Sequence, residues 1–227
     1  MEVRGRFRMP LTPRAAAELQ LRLRDRVVRC GSLRPRLVAG ADVSVKGGLA
    51  RAAIVILRDL EPVEEVVIER PVNFPYVPGL LSFRELPPLL AAWRRLRTRP
   101  DVILVDGQGY AHPRRFGLAC HLGVLLDLPT IGCAKSRLVG EHVDPPPERG
   151  AWAPLVDGGE VVGAALRTRS GCRPVYVSIG HRVTLAGAIR TVLACAPRYR
   201  IPEPQRRADQ LSRGGRHGIH WRVTMGT

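Results

Sequence analysis

Three β-branched, apolar runs succeed one another between residues 36 and 70, joined by connections short enough for antiparallel hairpins. The runs cover residues 36–45, 51–57 and 62–70, and Gly47-Gly48 and Arg58-Asp59 lie between them. Three successive strands of this kind read as an antiparallel meander. Beyond the meander, helix and strand alternate. The stretch LLSFRELPPLLAAWRRLRTR has helical spacing from about Ser82, with Pro87-Pro88 in its early turns or at a kink. Residues 101–106 (DVILVD) form a compact buried strand that ends in an acid and then Gly107. Residues 113–128 read as an amphipathic helix and 130–133 as a strand. Further strands are expected at 151–156, 161–167 and 174–179, and helices at 13–29, 184–194 and just after Pro204. This is an α/β pattern. The reading is one domain over 1–227, with a core at about 36–213 and a basic tail at 214–227. The proline-rich stretch HVDPPPERG (142–150) is taken as a surface loop inside it.

The formal net charge is +16, which asks for a polyanionic partner: nucleic acid or an anionic membrane. No apolar run approaches the ~18 residues of a membrane span. The basic start, MEVRGRFRMPLTPR, has no apolar stretch behind it to make a signal peptide. Nucleic acid is therefore the expected partner, with no membrane, and a cytoplasmic monomer is the expected form. Cys30, Cys120, Cys133, Cys172 and Cys195 are odd in number and form no C-x-x-C pair. They read as reduced, buried thiols rather than zinc ligands. Of 36 cationic side chains only Lys46 and Lys135 are lysines, so a lysine inside a motif stands out.

Asp42 interrupts the small, apolar stretch VAGADVSV, where an acid is costly to bury without compensation. Asp106 poses the same problem at the end of DVILVD. Each alone also suits a turn or cap. If their strands are neighbours, the two carboxylates meet, and like charges that close demand a proton or a cation. Carboxylate oxygens with no His/Cys cluster point to Mg²⁺, with Mn²⁺ as a substitute. Glu85 is either the far half of a capping box with Ser82 or a third acid at the metal. Asp209, in PEPQRRADQLSR, is the weakest acid by pattern, since a lone acid among arginines is commonly a surface ion pair. Asp101 lies roughly 16 Å along the strand from Asp106 and should not share its ion.

PYVPG (75–79) is a proline-framed turn that presents Tyr76, which either packs under its own turn or stacks on bases. GQGYAHPRR (107–115) joins a strand to a helix, and His112, Arg114 and Arg115 add cationic or proton-transfer capacity. CAKSRL places Lys135 and Arg137 just past an apolar strand, within reach of a phosphate. His217 and His220 have metal-like spacing, but two histidines in a basic tail make a poor site and receive no role.

Taken together, GADVSV (40–45), FPYVPGLLSFRE (74–85), the run from 106 to 138, RTRSGCRPVYVSIGHRV (167–183) and YRIPEPQRRADQLSR (199–213) resemble the endonuclease V family. The resemblance implies an RNase H-like fold: a central mixed five-stranded sheet with helices on both faces. It implies that Asp42 and Asp106 are the principal Mg²⁺ ligands, with Glu85 as third acid and Asp209 near the metal. It implies that Pro75, Tyr76, Val77 and Pro78 form a strand-separating wedge with Tyr76 as the inserted ring. A flipped hypoxanthine would lie against backbone around Gly79, Leu81 and Gly107. Lys135 and His112 would lie near the scissile phosphate and the lesion pocket, with Arg114 and Arg137 on the substrate. The implied reaction is hydrolysis of the second phosphodiester bond 3′ to deoxyinosine in DNA, leaving 3′-hydroxyl and 5′-phosphate ends. Gln108 departs from the histidine that relatives often carry, with little effect expected because backbone dominates a tight turn. The competing readings are an inosine-specific endoribonuclease with the same site, and a basic nucleic-acid-binding protein without catalysis. An unrelated metal phosphatase would have no need of such a charge.

Overall fold

The computed structural model describes residues 1–5, 7 and 9–215. The expected meander is β1 (Leu37–Lys46), β2 (Leu49–Arg58) and β3 (Glu61–Pro71), paired antiparallel. Gly47 and Gly48 both have positive φ, 56° and 77°, as a two-residue hairpin turn requires. The second turn falls one residue later than expected, on Asp59-Leu60. Then come α2 (Leu81–Arg95), β4 (Val102–Val105), α3 (Leu118–Leu126) and β5 (Thr130–Ala134). β4 lies parallel to β1, and β5 parallel to β4. The order β3-β2-β1-β4-β5 is the RNase H-like sheet. The sheet does not stop at five strands. β8 (Val175–His181) pairs antiparallel with the free edge of β5, and β7 (Glu160–Leu166) and β6 (Trp152–Asp157) come next, giving eight. These three strands are visible in the sequence, but their joining the central sheet depends on an edge pairing that local pattern does not encode.

Side-chain alternation along β4 explains why DVILVD is apolar throughout. Ile103 and Val105 pack with Leu86, Leu89 and Trp93 of α2 and Leu122 and Leu126 of α3. Val102 and Leu104 pack with Ala188 and Val192 of α4 (Leu185–Ala194) on the opposite face. α5 (Glu203–Ser212) closes that second face, with Ala208 and Leu211 on Ala53, Val55 and Leu57 of β2. Its close seat on β1 requires glycine: a Cβ at Gly40 would lie 2.1 Å from the carbonyl of Pro204. α1 (Pro13–Leu23), capped by Thr12, buries Ala16 against Phe74, Leu80 and Phe83.

Several expectations need correction. α1 ends at Leu23 and continues only as a 3₁₀ turn over Arg24–Arg26, short of residue 29. α3 begins at Leu118 rather than 113, because the preceding loop is tied down by Tyr110 N–H to Ile179 (2.7 Å) and Gly117 N–H to Gly109 (2.9 Å). The Ser82–Glu85 capping box is not formed: Leu80 holds the N-cap position, and the Ser82 hydroxyl lies 3.2 Å from His121 Nδ1. Cys120, Cys133 and Cys195 are buried, but Cys30 is exposed and Cys172 half-buried; all five are free thiols. His217 and His220, with most of the basic tail, lie outside the described residues.

Candidate active site

Asp42 and Asp106 are brought together by strand register. Ala41 pairs with Val105, and the Asp106 N–H donates to the Ala41 carbonyl at 3.1 Å, so the next residue on each chain faces the same recess. β4 ends there while β1 runs on into its hairpin, which leaves Asp42 inside a strand and Asp106 just past one. Lys135 comes directly after the end of the next parallel strand, β5. These are the carboxyl ends of parallel strands, where α/β sheets gather ligands. α5 supplies Asp209 and Ser212, Arg213 follows at its end, and α2 supplies Glu85.

The recess is lined by Asp42, Glu85, Asp106, Lys135, Asp209 and Arg213, with Val43 and Ser44. Asp42, Asp106 and Asp209 each offer one carboxylate oxygen, and these oxygens lie within 4.8 Å of one another. Lys135 Nζ sits between two of them, 2.6 Å from Asp106 and 2.7 Å from Asp209. Arg213 reaches Asp209 at 3.1 Å. The Ser212 hydroxyl donates to Asp42 and lies 2.9 Å from the Asp209 carbonyl. Burial pushes the Asp42 carboxyl from 3.8 up to about 6; Asp106 and Asp209 push the same way, while Ser212 and Lys135 oppose. Burial, then the charges of Asp42 and Asp106, holds Glu85 well above the ordinary carboxyl range. Burial disfavours the Lys135 ammonium, but its ion pairs with Asp106 and Asp209 win and raise its pKa.

Among the described residues, four acids thus face one ammonium and one guanidinium. The donor set they offer is all oxygen, with no described histidine or cysteine lining the recess. Such a set, already short of positive charge, could hold a hard divalent cation. Asp209, the weakest acid by pattern, belongs to the close trio, and Glu85 stands outside it. Asp101 is at the other end of β4, accepting from the Arg36 and Leu37 amides at 2.8 and 2.9 Å.

Beside the recess opens a cleft of about 340 Å³, within the ~300–1,000 Å³ of small-ligand sites. One wall is Tyr76, Val77, Pro78, Gly79 and Leu81; the other includes Gly107, Gln108, His112 and Leu118. Asp106, Lys135 and Arg137 line its floor and rim. Tyr76 is 69% exposed, so it is not packed under its own turn. Pro75 is exposed and outside the cleft lining.

Four expected roles change. His112 is buried, and burial lowers its pKa to about 4, so it is neutral. Its Nε2 lies 2.9 Å from the Gly79 carbonyl and its Nδ1 accepts from the Arg114 amide at 3.1 Å. A carbonyl can only accept, so the proton is on Nε2 and both nitrogens are committed; His112 is a wall, not a proton carrier. Arg114 also turns inward, donating to Gly79 at 2.7 Å and to Gln20 at 2.6 Å. Arg115 is bound to Asp157 and Glu160 at 2.6 and 3.0 Å, away from the recess. The Gln108 side chain does more than expected: its Nε2 donates to the Ser136 carbonyl at 2.9 Å and ties the two cleft loops together.

Three participants escape a reading of the sequence. Ser212 holds Asp42, and Arg200 donates to the Lys135 carbonyl at 2.8 Å and to Pro174 at 2.9 Å. Gln20 of α1 is 1% exposed and bridges the cleft walls. A glutamine on the buried stripe of an otherwise amphipathic helix is the one signal that points to it.

The family model described as Endonuclease V matches residues 20–210. The Endonuclease V of Roseiflexus sp. (strain RS-1) is 56% identical over 210 residues, spanning 91% of this chain and 95% of its own. The crystal structure of the Endonuclease V from Streptomyces avermitilis is 48% identical, with a TM-score of 0.87 over 94% of this chain and 96% of its own. That of Ciona intestinalis Endonuclease V, in complex with a 24mer DNA containing an inosine followed by a ribo-adenosine, is 30% identical with a TM-score of 0.76, covering 86% of this chain and 94% of its own.

Proposed function

The chain belongs to the endonuclease V family, and on that premise we propose that it is a divalent-metal-dependent repair nuclease that nicks DNA beside deoxyinosine. One observation carries the reading: Asp106 and Lys135 line both the base-sized cleft and the acidic recess. A base lodged in the cleft therefore brings its own strand's phosphates to the carboxylates.

The residues divide the work. The walls at Gly79, Leu81 and Gly107 hold the flipped hypoxanthine through backbone, and the exposed Tyr76 ring fills the gap it leaves in the stack. Arg137 at the rim holds the backbone. Asp42, Asp106 and Asp209 would hold Mg²⁺, or Mn²⁺ in its place, with Glu85 behind them. When bound, the cation supplies charge stabilisation at the scissile phosphate and activation of the attacking water. Ser212 orients Asp42 by hydrogen bonding, and Lys135 presents positive charge between recess and cleft. The product is a nick at the second phosphodiester bond 3′ to the lesion, with 3′-hydroxyl and 5′-phosphate ends. No helix among the described residues is long and apolar enough to cross a membrane.

The decisive experiment is cleavage of an end-labelled duplex bearing one inosine, beside the same sequence as RNA. A Mg²⁺-dependent break at the second bond 3′ to the lesion, stronger on DNA, is the expected result. Stronger cleavage of RNA would reassign the substrate, and binding without a break in either would remove the nuclease reading.

Two further outcomes concern the recess. Lys135 already serves as its cation, so an incoming divalent ion competes for the same oxygens. Only two lysines occur in the chain, which makes amine acylation combined with mass spectrometry selective. Mn²⁺ should speed labelling of Lys135 several-fold and leave Lys46 unchanged. The second outcome is pH dependence. With a folded pKa of about 6 against 3.8, Asp42 resists ionisation in the folded protein. In the metal-free protein its contribution to stability is lost as pH rises from 3.8 through about 6. Metal binding needs the ionised form, so the rise in Tm on adding Mg²⁺ should be full above pH 7 and fade as pH falls through about 6. A shift equal at pH 5 and pH 8 would take Asp42 out of the site.

A further inference from the structure

The Gly79 carbonyl receives three side-chain donors: Gln20 Nε2 at 3.1 Å, His112 Nε2 at 2.9 Å and Arg114 Nη2 at 2.7 Å. A carbonyl oxygen has two lone pairs, so this convergence is unusual. The other Gln20 bonds show what the knot joins. Its Nε2 also donates to the Phe116 carbonyl at 3.0 Å, and its Oε1 accepts from Arg114 Nε at 2.6 Å. Every partner is a fixed donor or acceptor, so the orientation of the amide is determined. Gly79 stands on one wall of the cleft, and Phe116 lies beyond His112 on the loop that forms the other. One buried side chain therefore holds both walls, and it comes from α1, ahead of the sheet in the chain. Gly79 itself has φ +77°, and a Cβ there would lie 2.8 Å from Arg114 Nη2. The knot thus forms only where glycine stands.

We propose that Gln20 is a positioning residue that sets the separation of the cleft walls and thereby which flipped base the enzyme accepts. The wall separation rests on the hydrogen bonds alone; the link to base choice rests on the proposed nuclease function. Without the two Nε2 donors, the Gly79 carbonyl keeps only His112 and Arg114, and the loop of Tyr76–Gly79 is held less closely to the loop of Gly107–Phe116. Where Oε1 goes as well, Arg114 loses the side chain that orients it. The cleft then loses its selective fit to hypoxanthine and admits purines that carry an exocyclic amino group, guanine among them. The acidic recess does not touch Gln20, so chemistry on a correctly seated strand is preserved.

The test uses the full-length protein with Gln20→Glu and Gln20→Leu. The first keeps the shape and the acceptor for Arg114 but has no donor; the second keeps approximate volume and removes every hydrogen bond. The expected kinetic result in both is a KM for an inosine strand raised about tenfold, kcat within about twofold, and preference for inosine over guanosine reduced at least fivefold. Hydrogen exchange at the amides of Val77, Gly79 and Leu80 should quicken about tenfold, while the Mg²⁺-induced rise in Tm stays at the wild-type value. Folded variants with unchanged exchange in this loop would overturn the clamp. Faster exchange with unchanged KM and base preference would overturn its role in selection. A fall in kcat with KM unchanged would likewise count against it, as general damage to the site. Should the wild type fail to cut inosine strands while the exchange difference persists, the nuclease reading fails and the clamp stands.

Discussion

Replacing Asp106 with asparagine should abolish nicking of an inosine strand while leaving binding of that strand nearly intact. The substitution is isosteric and leaves the Asp106 N–H bond to Ala41, which belongs to the backbone, undisturbed. What it removes is one of three clustered carboxylates and one of the two anions that hold Lys135. Under the proposed function, strand binding would depend chiefly on cationic contacts to phosphate, and those weaken with salt, not with loss of an acid. Removing a negative charge from the recess should if anything tighten binding at low salt. The expected loss is at least ~100-fold in single-turnover rate, about 2.7 kcal/mol of barrier. Affinity measured on the same strand should change by less than about threefold. Retained Mg²⁺-dependent nicking would remove Asp106 from the site; parallel loss of binding would mean that the acid organises the cleft and not the chemistry.

A second large effect is expected at a residue that has no side chain. Gly40→Ala adds a single methyl, yet its Cβ would lie 2.1 Å from the carbonyl of Pro204 and 2.6 Å from the Gln205 nitrogen. Both neighbours are backbone, so no side chain can rotate away. Either β1 or the start of α5 must move. Overpacking of this kind costs roughly 1–3 kcal/mol and more where backbone is trapped, which for a chain of this size lowers Tm by about 5–10 °C. The functional consequence is specific, because α5 carries Asp209 and Ser212 into the recess. Mg²⁺-induced stabilisation should fall together with Tm. Gly107→Ala is the matched control, since the nearest atom to its Cβ would be 3.5 Å away on a leucine side chain. A Gly40→Ala protein with wild-type Tm and metal response would show that α5 does not need its seat on β1.

The two positions illustrate what can be read without coordinates. Asp42 and Asp106 stand out in the sequence because a carboxylate inside an apolar strand is expensive, and an expensive residue asks for a reason. Gly40 precedes Asp42 by two residues and carries no such flag. Its importance depends on which helix lies over it, and that helix begins more than 160 residues later. Lys135 is conspicuous through the rarity of lysine, but its partner Asp209 has the pattern of an ordinary surface acid. They are 74 residues apart, and only the docking of α5 gives Asp209 its place in the trio. His112 misleads because an imidazole in a glycine-rich turn suits proton transfer equally well until burial and both of its hydrogen bonds are known.

Local sequence therefore determined the meander, the doubly buried strand β4 and the two acids beside it, because periodicity and the cost of burying charge act within one element. Tertiary structure decided the eight-strand sheet, the admission of Asp209 and Ser212 to the recess, and the grip of Gln20 on both cleft walls. Each of those depends on a contact between remote segments, whose geometry arises from packing the whole chain and leaves no periodic trace in any one stretch of it.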